Sequence, residues 1–166
     1  MRRIFILVFL FPILLIGQEN PLEIFKPLEN YIWNAEGKWA DGSMFKQEVS
    51  LSFSLNDKIV IVESKGFTNN EKTEFGLRNH GIRQFDEKSK KIRFWEYDVF
   101  GTVTKGYVES NDKNLVYQYQ YGETFVTEMW IYEDENKYEF IVGIFENGKW
   151  TQKFLETKFI GQQKIK

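Results

Sequence analysis

The chain has 166 residues, 22 basic and 24 acidic side chains, a formal net charge of −2, and no cysteine. It offers no basic stripe for nucleic acid. The missing cysteine excludes disulfides and a lipid-bearing cysteine behind a leader. A chain of this size folds as one domain on its own core, and aromatics are abundant at 17%, with five Trp, eight Tyr and sixteen Phe.

Met1-Arg2-Arg3 is a basic start, and Ile4 to Ile16 is an apolar run broken only by Pro12. Thirteen residues are too few for a comfortable membrane span, which needs roughly 20. The segment 1–17 therefore reads as a signal peptide cut near Gly17, giving an exported protein, periplasmic or extracellular, with no stable membrane anchor after cleavage. Loss of Arg2 and Arg3 leaves 20 basic against 24 acidic residues, a net −4.

Residues 18–28 form an N-terminal segment punctuated by Pro21 and Pro27 and carrying Leu22, Ile24, Phe25 and Leu28. Pro27 at a first helical turn starts one brief helix, which is expected to close one end of the strand-rich region behind it. No proline occurs after Pro27, as continuous strand pairing requires. From residue 29 to 161, aromatic and β-branched runs recur every ten residues or so. Polar turns separate them at Asn56-Asp57, Asp86 to Lys90, Asn111-Asp112, Gly122-Glu123, Asp134 to Asn136 and Asn147-Gly148.

Ten strands emerge from that rhythm, at about 30–39, 43–55, 58–67, 74–86, 90–99, 102–110, 113–121, 124–133, 137–146 and 149–160. The prediction is an all-β, antiparallel up-and-down meander closed into a barrel, with residues 162–166 as a polar, frayed tail. Such a barrel has room for a small ligand.

Hairpin registers then sort the faces. A turn centred on Lys88-Ser89 sets Asn79 opposite Asp98, Gly81 opposite Glu96, Arg83 opposite Phe94 and Phe85 opposite Ile92. Phe75 and Leu77 fall on the same inward face. Gly81 leaves space beside Glu96, which Arg83 reaches on the diagonal. A turn centred on Asn111-Asp112 pairs Val108 with Leu115 and Gly106 with Tyr117. The turn at Gly122-Glu123 sets Glu128 opposite Tyr117 and puts Trp130 on the face of Tyr119. Buried charges must pair, take a ligand or meet water.

The candidate ligand-binding residues are thus Asn79, Arg83, Phe94, Glu96, Asp98, Tyr117, Tyr119, Glu128 and Trp130. Arg83 would anchor an anionic group and the aromatics would supply contact area. His80, the only histidine, faces outward opposite Tyr97. One His and no Cys give no multi-histidine or structural zinc site, and no Gly-x-Ser-x-Gly turn presents a serine nucleophile. No metal site, catalytic residue or cofactor is assigned. Glu96 and Asp98, two apart on one strand, have the spacing of an acid–base pair.

The stretches Phe75-Gly76-Leu77-Arg78-Asn79-His80-Gly81-Ile82-Arg83 and Ile92-Arg93-Phe94-Trp95-Glu96-Tyr97-Asp98-Val99-Phe100-Gly101 resemble small exported bacterial proteins. Size and rhythm resemble the calycin group of lipocalin-like and fatty-acid-binding-protein-like barrels. Gly37-Lys38-Trp39 matches the Gly-x-Trp of lipocalins, as does Gly148-Lys149-Trp150. The haem-binding nitrobindin-like barrels, which the rhythm also resembles, place a histidine inside; here only His80 could serve. The inward-facing set that the hairpin registers give predicts non-enzymatic binding of a small apolar or amphipathic molecule in the barrel. Two other readings stay open: an acid–base hydrolase or isomerase using interior carboxylates, and a filled barrel acting through a surface patch near Trp95 and Tyr107.

Overall fold

The computed structural model describes residues 20–164; the signal peptide expected at residues 1–17 lies outside them. Asn20 opens the fold by capping. Its Oδ1 accepts from the Leu22 amide at 3.1 Å, and its Nδ2 donates to the Asp57 carbonyl at 2.8 Å. A 3-10 turn, Pro21–Phe25, runs into a single-turn helix α1, Lys26–Glu29, with Pro27 in its first turn. Leu22, Phe25 and Leu28 are fully buried beneath it, so this segment plugs one end of the molecule as expected.

Ten antiparallel strands come next in chain order: β1 (Tyr31–Lys38), β2 (Met44–Ser54), β3 (Ile59–Phe67), β4 (Phe75–Asp86) and β5 (Lys91–Asp98), then β6 (Val103–Asn111), β7 (Asn114–Tyr121), β8 (Thr124–Asp134), β9 (Lys137–Glu146) and β10 (Lys149–Gln163). Each pairs with its sequence neighbours, and β1 pairs with β10 to close the barrel. Closure leaves no free sheet edge to recruit another strand. The fold is consistent with the broad calycin-like class.

β10 is longer than the rhythm suggests. Gly161, Gln162 and Gln163 pair with Trp33, Ile32 and Tyr31, so the expected frayed tail contributes to closure. A Cβ at Gly161 would come within 2.9 Å of the Trp33 indole, so glycine lets the two strands meet over that ring. Lys164 then donates from Nζ to the carbonyls of Glu29 and Leu51 at 2.7 and 2.8 Å. Both ends of the described chain therefore sit at the plugged end.

The apolar core fills that half of the barrel. Trp33, at 0% exposure, donates from Nε1 to the Leu28 carbonyl at 3.0 Å and joins plug to wall. Around it, Trp130 stacks on Phe159 at 4.2 Å, and Tyr138 meets Trp33 edge-on at 5.2 Å.

Two registers differ from expectation. The β6–β7 turn closes one residue later, over Asp112-Lys113, pairing Val108 with Tyr117 and Gly106 with Tyr119. Asp112 takes a positive φ of 58°, which fixes that turn. The shift is two residues along the partner, so the inward face survives. In β4 the ladder passes from Ser64↔Asn79 to Lys65↔Leu77, leaving Arg78 as an extra residue in a bulge. Beyond it the alternation reverses. Phe75 and Leu77, expected inside, are 41% and 53% exposed.

Candidate ligand-binding cavity

A cavity of about 670 Å³ occupies the barrel from the plug towards the opposite end. Leu28 lies at its floor, while Asp41, Ser43 and the exposed Tyr121 line its outer part. The mouth lies among the turns after β1, β3, β5, β7 and β9. A branch of about 380 Å³ runs beneath the loop at 68–74, past Phe67, Asn69 and Lys72.

Asn79, Arg83, Phe94, Glu96, Asp98, Tyr117, Tyr119, Glu128 and Trp130 all line the main cavity. The β4–β5 hairpin places the first five, through the pairs Asn79↔Asp98, Gly81↔Glu96 and Arg83↔Phe94. The β7–β8 hairpin places the rest, with Glu128 opposite Tyr117 and Trp130 opposite Leu115. Nine side chains from four strands thus share one space.

Arg83 is the centre of its charge. The residue is 5% exposed, and its Nη2 donates to Glu96 Oε1. A Cβ at Gly81 would overlap Arg83 Nη1 and come within 2.7 Å of the Glu96 carboxylate, so only glycine admits the pair. The guanidinium lies 5.3 Å from the Tyr117 ring centre and 5.4 Å from that of Phe94. Burial works against its charge, but Glu96 and Tyr117 outweigh that and raise its pKa. Nε and Nη1 have no partner among the described residues. An unpartnered buried donor is costly, and a ligand or water relieves it.

Glu128 is set apart. Trp130 Nε1 donates to its Oε1 at 3.2 Å. Burial pushes its pKa up to about 7, with Glu96 adding to the rise and Trp130 and Arg83 opposing it. Near neutral pH this carboxyl is divided between acid and carboxylate. Tyr117 and Tyr119 are raised, chiefly by burial, and stay protonated donors.

Glu96 and Asp98 serve separate partners. Glu96 holds Arg83, whereas Asp98 Oδ1 accepts from the Phe100 and Thr102 amides at 3.0 and 2.8 Å and builds the β5–β6 turn. Their shared strand face does not make them an acid–base pair. His80 lies on the outer wall opposite Tyr97, its Nδ1 3.7 Å from Glu63 Oε1. Among the described residues no three His, Cys, Asp or Glu side chains converge as a metal site. No described helix is long and apolar enough to cross a membrane.

Several lining residues escaped the sequence reading. Ser64 succeeds Val60 and Val62 on one period-two face, opposite Val49, and that alternation could have found it. Arg78 reaches the cavity only because of the bulge, and its Nη1 donates to the Phe67 carbonyl. Gln47 lies between Phe45 and Val49 on the inward period-two face of β2, where the same alternation could have found it, whereas Trp39 lies just past β1 and Phe154 falls at a register shift in β10.

The outer surface is uneven as well. Leu77, Tyr97, Val99, Phe100, Val103 and Tyr121 are exposed apolar residues around the mouth. Farther down the wall, Arg93 covers Trp95 at 5.1 Å and Lys91 covers Tyr107 at 5.3 Å.

No protein-family model matches the chain, and no curated protein sequence matches it.

Proposed function

We propose that the barrel is a calycin-type carrier that holds one small amphipathic molecule, its anionic end at Arg83 and its apolar part against the aromatic wall. One observation carries this reading. A buried guanidinium keeps two donors unpartnered among the described residues, beside a cavity of about 670 Å³. That volume is in the range of small-molecule sites, roughly 300–1,000 Å³. Phe94, Tyr119 and Trp130 give the contact area, and the plug makes the site a cup with one mouth.

The same reading takes residues 1–17 as a signal peptide, so that the carrier works outside the cytoplasm. N-terminal sequencing of protein recovered from the producing cell checks this: a start near Gln18 supports export, and an intact Met1 opposes it.

Dodecanoate is a suitable probe for the cavity. Titrated into residues 18–166 and followed by tryptophan fluorescence, it is expected to bind saturably at one site and to raise the melting temperature. A flat titration with an unmoved melting temperature would sink the proposal. A second reading, proton-transfer catalysis, draws on Glu128 alone, a carboxyl poised near neutrality inside a pocket. It predicts turnover that disappears in Glu128→Gln while dodecanoate still binds.

A further inference from the structure

Arg83 is not the only group in the cavity that lacks a partner. Ser64 Oγ and Asn79 Oδ1 are also buried and unpartnered among the described residues. They are direct neighbours, since Ser64 and Asn79 face each other across β3 and β4. Arg83 extends back over Gly81 on the same inner face, which brings its Nη1 towards Asn79. Ser64 and Arg83 are 4% and 5% exposed, so bulk water is a poor partner for either.

The rest of the lining gives the cavity two unlike walls. Ser64, Asn79, Glu96, Asp98 and Thr104 stand on β3 to β6. Across the barrel, Val126, Trp130, Val142 and Phe154 stand on β8 to β10, with Glu128 between Val126 and Trp130, while Val49 on β2 adjoins Ser64. A bare carboxylate satisfies Arg83 and leaves the Asn79 oxygen without a donor. An acid that also carries a hydroxyl near its carboxylate can satisfy Arg83, donate to Asn79 Oδ1 and accept from Ser64 Oγ. The apolar chain would then lie on the opposite wall.

Resting on the carrier reading, we infer that the cavity selects a hydroxy acid, with its hydroxyl at the Ser64–Asn79 pair, over the same acid without the hydroxyl. Sites built to hydrogen-bond a ligand hydroxyl discriminate strongly against the analogue that lacks it, because the site's own polar groups are then left unpaired.

The test compares dodecanoate with 3-hydroxydodecanoate, two probes of one chain length and one charge. The protein is expected to bind the hydroxylated probe about tenfold more tightly. In Asn79→Leu the ratio of the two affinities should fall to about one. Ser64→Ala should reduce the same ratio, and it keeps the test available if the Asn79 variant fails to fold. The ratio is the decisive readout, because a general loss of structure weakens both probes together. Equal affinities in the parent protein overturn this inference and leave the carrier reading standing. A preference that persists in both variants also overturns it. If neither probe binds, both ideas fall.

Discussion

The two ends of this barrel use the same strands for opposite purposes. At the plugged end, inward positions carry Trp33, Trp130, Tyr138 and Phe159 in edge and stacked contacts, under a lid of Leu22, Phe25 and Leu28. At mid-barrel and above, inward positions carry Ser64, Asn79, Arg83, Glu96 and Glu128, and several polar atoms lack partners among the described residues. A barrel of ten strands is too wide to fill along its whole length with side chains. Here the aromatics fill one half and leave the other as a cup. Stability concentrates at one end, and chemical potential for a ligand at the other.

That contrast is broken most severely by removing the floor. Trp33→Ala deletes a fully buried indole and its link to Leu28, and should cost about 3–5 kcal/mol in a urea unfolding titration. Next comes the pair in the cup. Arg83→Met strands Glu96 and should cost about 3 kcal/mol. The double variant with Glu96→Leu should recover most of that loss, because the charge left behind, not the missing contact, is the source of the cost. If the double variant is as unstable as the single, Arg83 contributes mainly by packing.

Glu128 sharpens the comparison through pH. Its folded pKa of about 7 lies above the ordinary 4.5, so the folded state holds this proton more tightly than the unfolded chain does. The folded state therefore loses stability as pH rises from about 4.5 through about 7. Glu128→Gln has no charge to bury and should exceed the parent by about 3 kcal/mol above neutrality, with the difference vanishing in mild acid. Unfolding titrations across that range give the curve directly, and a gap that does not change with pH would contradict the assignment. The smallest effect belongs to the rim. Phe100 is 46% exposed, and Phe100→Ser should change stability by no more than about 0.5 kcal/mol.

Much of this architecture is legible in the amino-acid sequence. Polar turn residues at about ten-residue intervals mark most of the strands, because an antiparallel meander joins neighbours by short connections, the longest here being the loop at 68–74. Face assignment is as good as the turns that anchor it. The β4–β5 hairpin keeps its expected register. The β6–β7 turn is displaced by one residue, yet its inward residues stay inward because period two tolerates a shift of two. The bulge at Arg78 is marked only by Gly66 and Gly76, which pair beside it, and one unpaired residue reverses Phe75 and Leu77. In β9, Phe140, Ile141 and Val142 are all buried in succession, so alternation could not tell cavity from wall. Fold is written in the turns, while part of the cavity lining is written in irregularities that turns do not announce.

Asn20 is held at the Asp57 turn, and Lys164 reaches Glu29 and Leu51, so the first and last described residues share the plugged pole. A tether joined at Asn20 or at Lys164 grips the molecule by its base. Immobilised on a bead or a sensor chip through such a tether, every copy would stand with its mouth towards the solution. An attachment at the Gly122-Glu123 turn would invert it and bring the rim against the support.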